Sequence, residues 1–317
     1  MRNELKAFQI EIAGKILNYR LGKQLNLDRV RAFFEDRYKV RKIWSAGRHV
    51  LGILEKNNEN LFLKLATTEG ISALTKNEYK WNEQFNKLLP RERSKFWVPR
   101  NIECGLYKNE LFYLITDKFV GELLIKQPKK SVTSNKLSNL LPFIIKFSEL
   151  IQELNISKLS REEAIDYREA FLTKTKSWYK DIPQYIKEKN KIGHLLKIVE
   201  NGISQLQKKT RHGDFTPWHL MKLKTGQLGL IDGEHAMGNG VEYYDIGYFI
   251  QRVFSVLENQ DLAEEILSLL IKSEYKMKKL IVILAARAIG GFLDESLKSS
   301  PNYEFSNKFK NWVIRLN

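Results

Sequence analysis

The spacing of apolar residues changes several times along the chain, and each change marks a predicted element. Over residues 1–37 the spacing is helical, with apolar stripes at positions 10, 12, 16 and 17 and at positions 30, 33 and 34. Residues 38–66 show β-rich runs interrupted by Ser45-Ala46-Gly47 and by the polar segment 56–60, which predicts three strands. Helical spacing returns at 71–89, and Pro90 ends that helix.

The remaining chain adds two strands and then becomes mostly helical. Residues 102–118 read as two short strands around a turn, and beyond Gly121 amphipathic stretches cover 137–155, 161–188 and 192–209. A strand-rich island at 211–235 interrupts them, and helices resume from Tyr243. The pattern predicts an α+β protein in three parts: a helical extension at 1–37, a small five-stranded antiparallel lobe with one inserted helix at 38–120, and a larger mainly helical lobe at 121–317.

Composition and charge limit the classes of function. The 317 residues are 43% hydrophobic and 28% charged, which are globular values that exclude wholesale disorder. Lys and Arg number 53 against 37 Asp and Glu, so the formal net charge is +16. A surplus of this size favours acidic partners such as nucleotides, nucleic acid, anionic lipid or phosphorylated small molecules. A basic solvated surface without a dedicated partner explains it equally well.

Cysteine usage and hydropathy indicate the compartment. Cys104 is the single cysteine, so neither an intrachain disulfide nor a zinc site built from cysteines can form. The first 15 residues carry charges throughout and lack the apolar core of a signal peptide. The apolar run at 280–286, stopped by Arg287, is far shorter than the ~20 residues that span a bilayer. We therefore expect a soluble cytoplasmic protein.

The island RHGDFTPWHLMKLKTGQLGLIDGEHA, which begins at Arg211, contains the candidate chemistry. Its segments 220–223 and 228–231 read as hairpin strands around a turn at 224–227. Asp214 precedes the hairpin and Asp232 follows it directly. Two carboxylates at opposite ends of a short hairpin can divide two tasks, because one can accept a proton from an attacking hydroxyl while the other holds a metal ion.

The ordered segments HGDFTPWH, a hairpin, LIDGE and YYDIG resemble the aminoglycoside phosphotransferase family, which includes choline-kinase-like enzymes and shares the protein-kinase fold. The resemblance covers roughly residues 38–250 and implies ATP-dependent phosphoryl transfer to a small-molecule hydroxyl. It implies that Asp214 is the catalytic base and that Asp232 and the residue at position 219 bind Mg²⁺. It also makes Asp245 the structural acid of the later motif.

The small lobe offers matching candidates for a nucleotide site. Phosphoryl transfer needs a cation on the nucleotide phosphates and an anion that holds the cation in place. Lys64 on the third strand fits the first role, and Glu78 on the following helix fits the second, with Glu83 as the alternative. The turn after the first strand is where the family puts its phosphate-covering loop, and the strand at 113–119 resembles the one leading to the adenine-binding hinge. The cofactor-binding candidates are Lys64, Glu78, Ser45, Ala46, Gly47, Asp117 and Phe119.

One position departs from the family pattern. His219 stands where the family has a metal-binding Asn five residues after the base, and imidazole prefers softer metals than Mg²⁺. Three interpretations follow. His219 contacts the metal and shifts the preference toward Mn²⁺. Alternatively, it contacts phosphate alone and leaves the ion to Asp232 and Glu234. In the third, the site is degraded and the chain is a nucleotide-binding pseudokinase.

The sequence therefore favours a kinase that uses ATP and Mg²⁺ and phosphorylates a small molecule. Because the net charge of +16 disfavours a polycationic acceptor, we expect a neutral or anionic acceptor, such as one containing a sugar. The alternatives are the pseudokinase and a kinase that acts on a macromolecule such as a protein or RNA. Nucleic acid is the less favoured partner, since the basic surface is its only support.

Overall fold

The computed structural model describes residues 5–12, 14–126, 137–156, 159 and 165–317. The chain divides into two compact units, the first formed by 1–121 with 223–236 and the second by 122–222 with 237–317. This division differs from the predicted one, which assigned 223–236 to the helical lobe and separated 1–37 from the strands. The predicted domain limits stay predictions.

A five-stranded antiparallel sheet forms the centre of the first unit, as the sequence predicts. Its spatial order is β3-β4-β5-β8-β7, and its strands are β3 (Lys39–Ala46), β4 (His49–Lys56), β5 (Glu59–Ala66), β7 (Asn101–Tyr107) and β8 (Leu111–Asp117). Helix α2 (Glu69–Leu88) follows the third of these strands and begins where the Thr68 side chain accepts the N–H of Ile71. The predicted lobe with its inserted helix is confirmed. A short parallel pair, β6 (Phe96–Trp97) with β12 (Leu228–Leu230), also lies in this unit.

Strand β5 is central and is buried on both faces. Leu61, Leu63 and Leu65 point to one face and are at most 3% exposed, packed with the residues of α1 (Leu27–Glu35). The alternate residues of the strand point to the face that α2 covers, where Ala66 packs with Ile71. This alternation brings Lys64 to the face covered by the helix that carries Glu78.

The predicted helix over residues 1–37 is wrong for the first half of that segment. Residues Gln9–Ile12 (β1) and Lys15–Asn18 (β2) form an antiparallel hairpin, and among the described residues of the segment the α-helix is α1. Ile10, Ile12 and Ile16 are β-branched and alternate along the strands, which favours the extended conformation. Gly14, with φ of +77°, provides the turn that a side chain would strain.

The second unit is mainly helical. Strand β10 (Lys208–Arg211) pairs antiparallel with β13 (Met237–Val241), and β9 (Gly121–Leu123) neighbours β11 (Leu220–Leu223). Its helices are α3 (Leu141–Glu153), α4 (Tyr167–Asp181), α5 (Gln184–Lys189), α6 (Gly193–Gly202), α7 (Tyr244–Ser255), α8 (Gln260–Lys272), α9 (Met277–Ser296) and α10 (Glu304–Leu316). Part of the predicted stretch 161–188, namely 161–164, lies outside the described residues.

Helix α9 is the core of the second unit. Every residue from position 280 to 293 is buried, which is typical of a helix surrounded by other elements. It contacts α4, α6, α7 and α10. Across the described residues, helices of the length and hydropathy needed to cross a bilayer are absent.

Candidate active site

Lys64 lies at the centre of a cluster of acidic side chains in the first unit. Its Nζ is 2.6 Å from Glu78 Oε2 on α2, 2.5 Å from Asp232 Oδ1 after β12 and 2.9 Å from Glu234 Oε1. The structure thus brings together four residues singled out from the sequence. The alternative partner, Glu83, is exposed on α2.

Three carboxylates around one ammonium group leave an excess of negative charge. Burial opposes the charged form of Lys64, but Asp232, Glu234 and Glu78 together raise its pKa well above the ordinary value. Burial raises the pKa of Glu78 to about 7. Lys64 lowers this pKa, but burial and the two other carboxylates together raise it by more. The cluster is therefore suited to accept a further cation.

Of the three acidic side chains, Glu234 has the most basic neighbours. Although burial raises its pKa, Lys64 and His49 bring that pKa below its ordinary range. Its Oε2 accepts a hydrogen bond from Arg48 at 3.0 Å, and its Oε1 lies 2.9 Å from His49 Nε2. Its side chain is 1% exposed, whereas that of Asp232 is 27% exposed. These contacts favour Asp232 over Glu234 as the carboxylate that an ion can reach.

Helix α2 holds the loop that carries Asp232 and Glu234. Asn77 Nδ2 donates to the carbonyl oxygens of Glu234 at 3.1 Å and Ala236 at 2.9 Å. Trp81, one turn further, packs so closely on Gly233 that a Cβ there would lie 2.3 Å from its ring. Asp232 adopts a left-handed conformation, with φ of +69°, which is strained for a residue other than glycine. The loop conformation is therefore imposed by α2.

The predicted phosphate-covering loop is shorter than the sequence predicts. Ser45 and Ala46 belong to β3 and pair with Val50 and His49, so the turn itself is Gly47-Arg48. Gly47 has φ of +58°, which explains why a glycine stands there. The sequence pattern assigned no role to Arg48, the second residue of this turn, or to His49, which begins β4.

A segment before α1, residues 19–23, braces this turn. Arg48 Nη1 donates to the carbonyl of Tyr19 at 3.3 Å, and Thr67 Oγ1 donates to the carbonyl of Arg48 at 2.6 Å. The same Thr67 oxygen accepts the N–H of Lys23 at 3.1 Å. A Cβ on Gly22 would lie 2.8 Å from the carbonyl oxygen of Gly47. We call residues 19–23 the N-terminal brace.

The predicted hinge residues lie at the end of β8. The Asp117 carboxylate pairs with Arg91 and accepts the N–H of Arg100 at 2.6 Å, so its side chain fixes the strand end. The Phe119 ring is 5.3 Å from the Arg91 guanidinium and packs against Gly229. Their contact with adenine stays a prediction.

In the second unit, Asp245 at the start of α7 holds the loop that carries Asp214. Its Oδ2 accepts the N–H of His212 at 2.7 Å and its Oδ1 accepts the N–H of Gly213 at 2.8 Å. Burial raises the pKa of Asp245 to about 6, against the lowering effect of these two donors. The residue that the resemblance marked as structural therefore touches the backbone directly before Asp214.

His219 turns back onto the same loop. Its Nδ1 lies 2.9 Å from the carbonyl oxygen of Asp214 and 3.5 Å from Asp214 Oδ2. Because a carbonyl oxygen only accepts, the contact assigns the proton to Nδ1 and the lone pair to Nε2 in the neutral ring. A histidine at this position thus keeps a contact with the loop of Asp214 and offers nitrogen, not the oxygen of an Asn, on its other side.

Comparison with known proteins defines the class of fold. No protein-family model matches the chain, and neither does any curated protein sequence. Solved structures do match, among them aminoglycoside phosphotransferases, so the chain has their kinase-like fold.

Three of these structures illustrate the match. A thermostable mutant of aminoglycoside phosphotransferase APH(4)-Ia, in ternary complex with ADP and hygromycin B, has a TM-score of 0.66 at 10% identity and covers 90% of this chain and 98% of its own. Aminoglycoside-3'-phosphotransferase of type VIII has a TM-score of 0.55 at 15% identity, covering 84% and 98%. The GDP and kanamycin complex of APH(2")-IIIa has a TM-score of 0.55 at 12% identity, covering 92% and 98%. At these identities the similarity establishes the fold.

Proposed function

We propose that the chain is an ATP-dependent phosphotransferase that transfers the γ-phosphoryl group to a hydroxyl of a small molecule. The observation that carries the proposal is the buried Lys64, held 2.6 Å from Glu78 and 2.5 Å from Asp232. These residues come from a strand, a helix and a loop far apart in sequence. A lysine fixed between a helix carboxylate and a post-hairpin carboxylate is the arrangement that positions nucleotide phosphates in kinases.

The proposed reaction transfers one phosphoryl group and one proton. The acceptor hydroxyl oxygen forms a bond to the γ-phosphorus as the bond from that phosphorus to the β,γ-bridging oxygen breaks. Asp214 receives the hydroxyl proton, and ADP leaves with the bridging oxygen. Lys64 neutralises phosphate charge, and Asp245 orients the loop of Asp214 through the N–H groups of His212 and Gly213. Positioning and charge stabilisation supply most of the rate enhancement.

The acidic cluster fits a magnesium ion. Oxygen atoms of Glu78, Asp232 and Glu234 lie within 4.8 Å of one another, and carboxylate oxygens are the ligands that Mg²⁺ prefers. Asp232, the most exposed of the three, would hold the ion. When bound, Mg²⁺ supplies positive charge that neutralises the phosphates. His219 Nε2 suits Mn²⁺ better than Mg²⁺, so Mn²⁺ is the alternative metal.

The acceptor class follows from charge. Hygromycin B and kanamycin, bound in the similar structures, are aminoglycosides, which are polycations. This chain carries a formal net charge of +16, which opposes the approach of a polycation. We therefore propose a neutral or anionic acceptor, such as a sugar-containing molecule, and place antibiotic inactivation second.

A pseudokinase is the second candidate, because His219 replaces a metal-binding Asn. In that case the chain binds a nucleotide without transferring phosphate. The retained Lys64, Glu78, Asp232 and Asp214 argue for catalysis, since a chain that only binds nucleotide has no need of the base.

Thermal unfolding with nucleotide and metal tests the proposal. At 100 times the dissociation constant a ligand stabilises the folded state by about 2.7 kcal/mol, or several degrees for a chain of this size. We expect ATP or GTP with Mg²⁺ to raise Tm of the wild type and to have no effect on Asp232→Asn. Asparagine tolerates the left-handed conformation of this position, so the variant changes charge with little backbone strain.

Asp36→Asn is the matched control, since Asp36 is exposed in the same unit. It should respond to nucleotide as the wild type does. If neither ATP nor GTP with Mg²⁺ or Mn²⁺ raises Tm of the wild type, the proposal is wrong and the similarity is one of fold alone. If the nucleotide binds but no acceptor consumes it in a screen for ADP release, the pseudokinase is favoured.

A further inference from the structure

Arginine and tyrosine side chains form a cluster in the second unit, on α7, α9 and the end of β10. The guanidinium carbon of Arg287 is 3.6 Å from the ring centre of Tyr248, and that of Arg252 is 4.6 Å from the same ring. Arg211 lies 4.0 Å from the ring centre of Tyr244. We call Arg252, Arg287 and Tyr248 the cluster below.

Arg287 is a buried cation without an acidic partner among the described residues. The residue is 4% exposed, and its Nη1 donates to the hydroxyl of Tyr244 at 3.0 Å. Besides Tyr248, the ring of Trp178 lies 4.9 Å from its guanidinium carbon. In the described part of the chain no carboxylate oxygen lies within 4 Å of this side chain, and its Nε makes no hydrogen bond. Aromatic faces offset only part of the cost of burying a charge.

Arg252 connects the cluster to the catalytic loop. Its Nη2 is 2.6 Å from Asp294 Oδ2 and also donates to the Tyr248 hydroxyl, and its guanidinium carbon is 5.9 Å from the ring of Trp218. Burial opposes its charged form, but Tyr248, Asp294 and Asp214 hold the pKa of Arg252 above its ordinary value. The guanidinium therefore adjoins the segment that carries Asp214, since Trp218 belongs to the same loop.

We propose that the acceptor carries an anionic group, a phosphate or a carboxylate, which binds Arg252 and Arg287 while its hydroxyl is presented to Asp214. The inference rests on the proposed function and names the acceptor class. Guanidinium groups suit this task, because their planar donors match the oxygens of phosphate and carboxylate. Tyr248 and Trp178 fix the planes of the two groups, so little side-chain entropy is lost on binding. Asp294, whose side chain is 40% exposed, holds Arg252 until the ligand anion replaces it.

The competing explanation is a purely structural one. Arg287 joins α9 to α7 and α4 through its aromatic contacts, and a packing role alone would make the protein indifferent to anions at this place. The two explanations differ in ligand binding, which can be measured on the wild type without any variant.

The first measurement compares anionic ligands with their neutral parents in thermal unfolding at constant ionic strength. The probes are glucose 6-phosphate and glucuronate against glucose, with inorganic phosphate as the minimal ligand. We expect at least one anionic probe to raise Tm by several degrees and glucose to leave it unchanged. The phosphate and carboxylate arms identify which anion the site prefers. Equal responses to the anionic and neutral probes would overturn the inference.

The second measurement uses Arg287→Gln and Arg252→Gln, with Arg315→Gln on the exposed surface of α10 as the matched control. Losing a hydrogen bond between charged groups should raise KM for the anionic acceptor by roughly 10- to 100-fold and change kcat much less. The Arg315 variant should retain the wild-type KM. If an acceptor found by screening is neutral and both cluster variants use it with unchanged kcat/KM, the inference is wrong. Should Arg287→Gln fail to fold, Arg252→Gln and the wild-type ligand pairs decide.

Failure of this inference is distinguishable from failure of the proposed function. A nucleotide-dependent rise in Tm with phosphorylation of neutral acceptors alone would keep the kinase and remove the anion site. An anion-dependent rise in Tm that is lost in Arg252→Gln, without any response to nucleotide, would keep the anion site and remove the kinase.

Discussion

Replacing Lys64 with methionine tests whether the acidic cluster is organised by its single ammonium group. Methionine keeps the length of the side chain and fits a residue that is 9% exposed. It leaves the carboxylates of Glu78, Asp232 and Glu234 within 4.8 Å of one another without their shared cation. The side chains of Glu78 and Glu234 are at most 7% exposed, so water cannot solvate the carboxylates that lose their cation.

The expected magnitude comes from the burial of the cluster. Removing one partner of a buried ion pair costs about 3–5 kcal/mol. This cost applies once, because the three contacts share one Nζ atom and their contributions are not additive. At roughly 2–4 °C per kcal/mol, Tm should fall by roughly 6–20 °C.

Urea unfolding at pH 7 measures the effect, and a double-mutant cycle with Glu78→Gln isolates the contact between the two side chains. We expect a coupling energy of about 1–3 kcal/mol. Lys39→Met is the matched control, because Lys39 is 63% exposed on β3 and its contact with Glu55 is 3.8 Å long. That variant should lose less than about 1 kcal/mol. A Lys64 variant as stable as the control, or a cycle with zero coupling, would refute the assignment of Lys64 as the organising cation.

Three further changes probe the second unit. Asp214→Asn should lower phosphotransfer by about 10²- to 10⁴-fold in a coupled ADP assay and keep the rise in Tm with nucleotide, since it removes the base alone; loss of that rise would contradict the assignment. His219→Asn should lower kcat, because it removes the Nδ1 contact with the Asp214 carbonyl, whereas activity gained from an inactive wild type would favour the pseudokinase. Asp245→Asn should flatten the stability profile in urea unfolding between pH 4 and 7. Burial raises the pKa of Asp245 from 3.8 to about 6, so the folded state binds the proton more tightly than the unfolded state. Its contribution of about 3 kcal/mol is therefore present below pH ~4 and lost as pH rises through 6, and an unchanged profile in the variant would contradict this.

The part of the fold that the sequence predicts is the part with a clear local pattern. The strand periodicity around Lys64, the helix before Pro90 and the hairpin before Asp232 each follow from spacing over fewer than 25 residues, roughly the reach of such patterns. The sheet of the first unit and its inserted helix are confirmed for this reason. The sequence predicts a helix where the hairpin at 9–18 lies, because four isoleucines and leucines satisfy either period over so short a stretch.

The contacts missed from the sequence join residues that are distant along the chain. Arg48 and Glu234 are 186 positions apart, and no local pattern relates them. In the sequence Arg287 ends an apolar run, whereas in the structure it continues a buried helix and lies against Tyr248. A charged residue inside a long apolar stretch indicates a buried charge. The side chains that contact it can be identified only from the tertiary structure.

The N-terminal brace has a consequence for any attempt to shorten the protein. A fragment that starts at residue 38, where the family resemblance begins, would keep every proposed site residue. It would also uncover Ala66, Ile71 and Leu74, which pack with Tyr19. It would release Arg48 from the carbonyl of Tyr19, and Thr67, which contacts Arg48, from the N–H of Lys23. Arg48 would then be free to leave Glu234. In this chain the boundary of the packed first unit therefore lies upstream of the boundary that the family resemblance suggests.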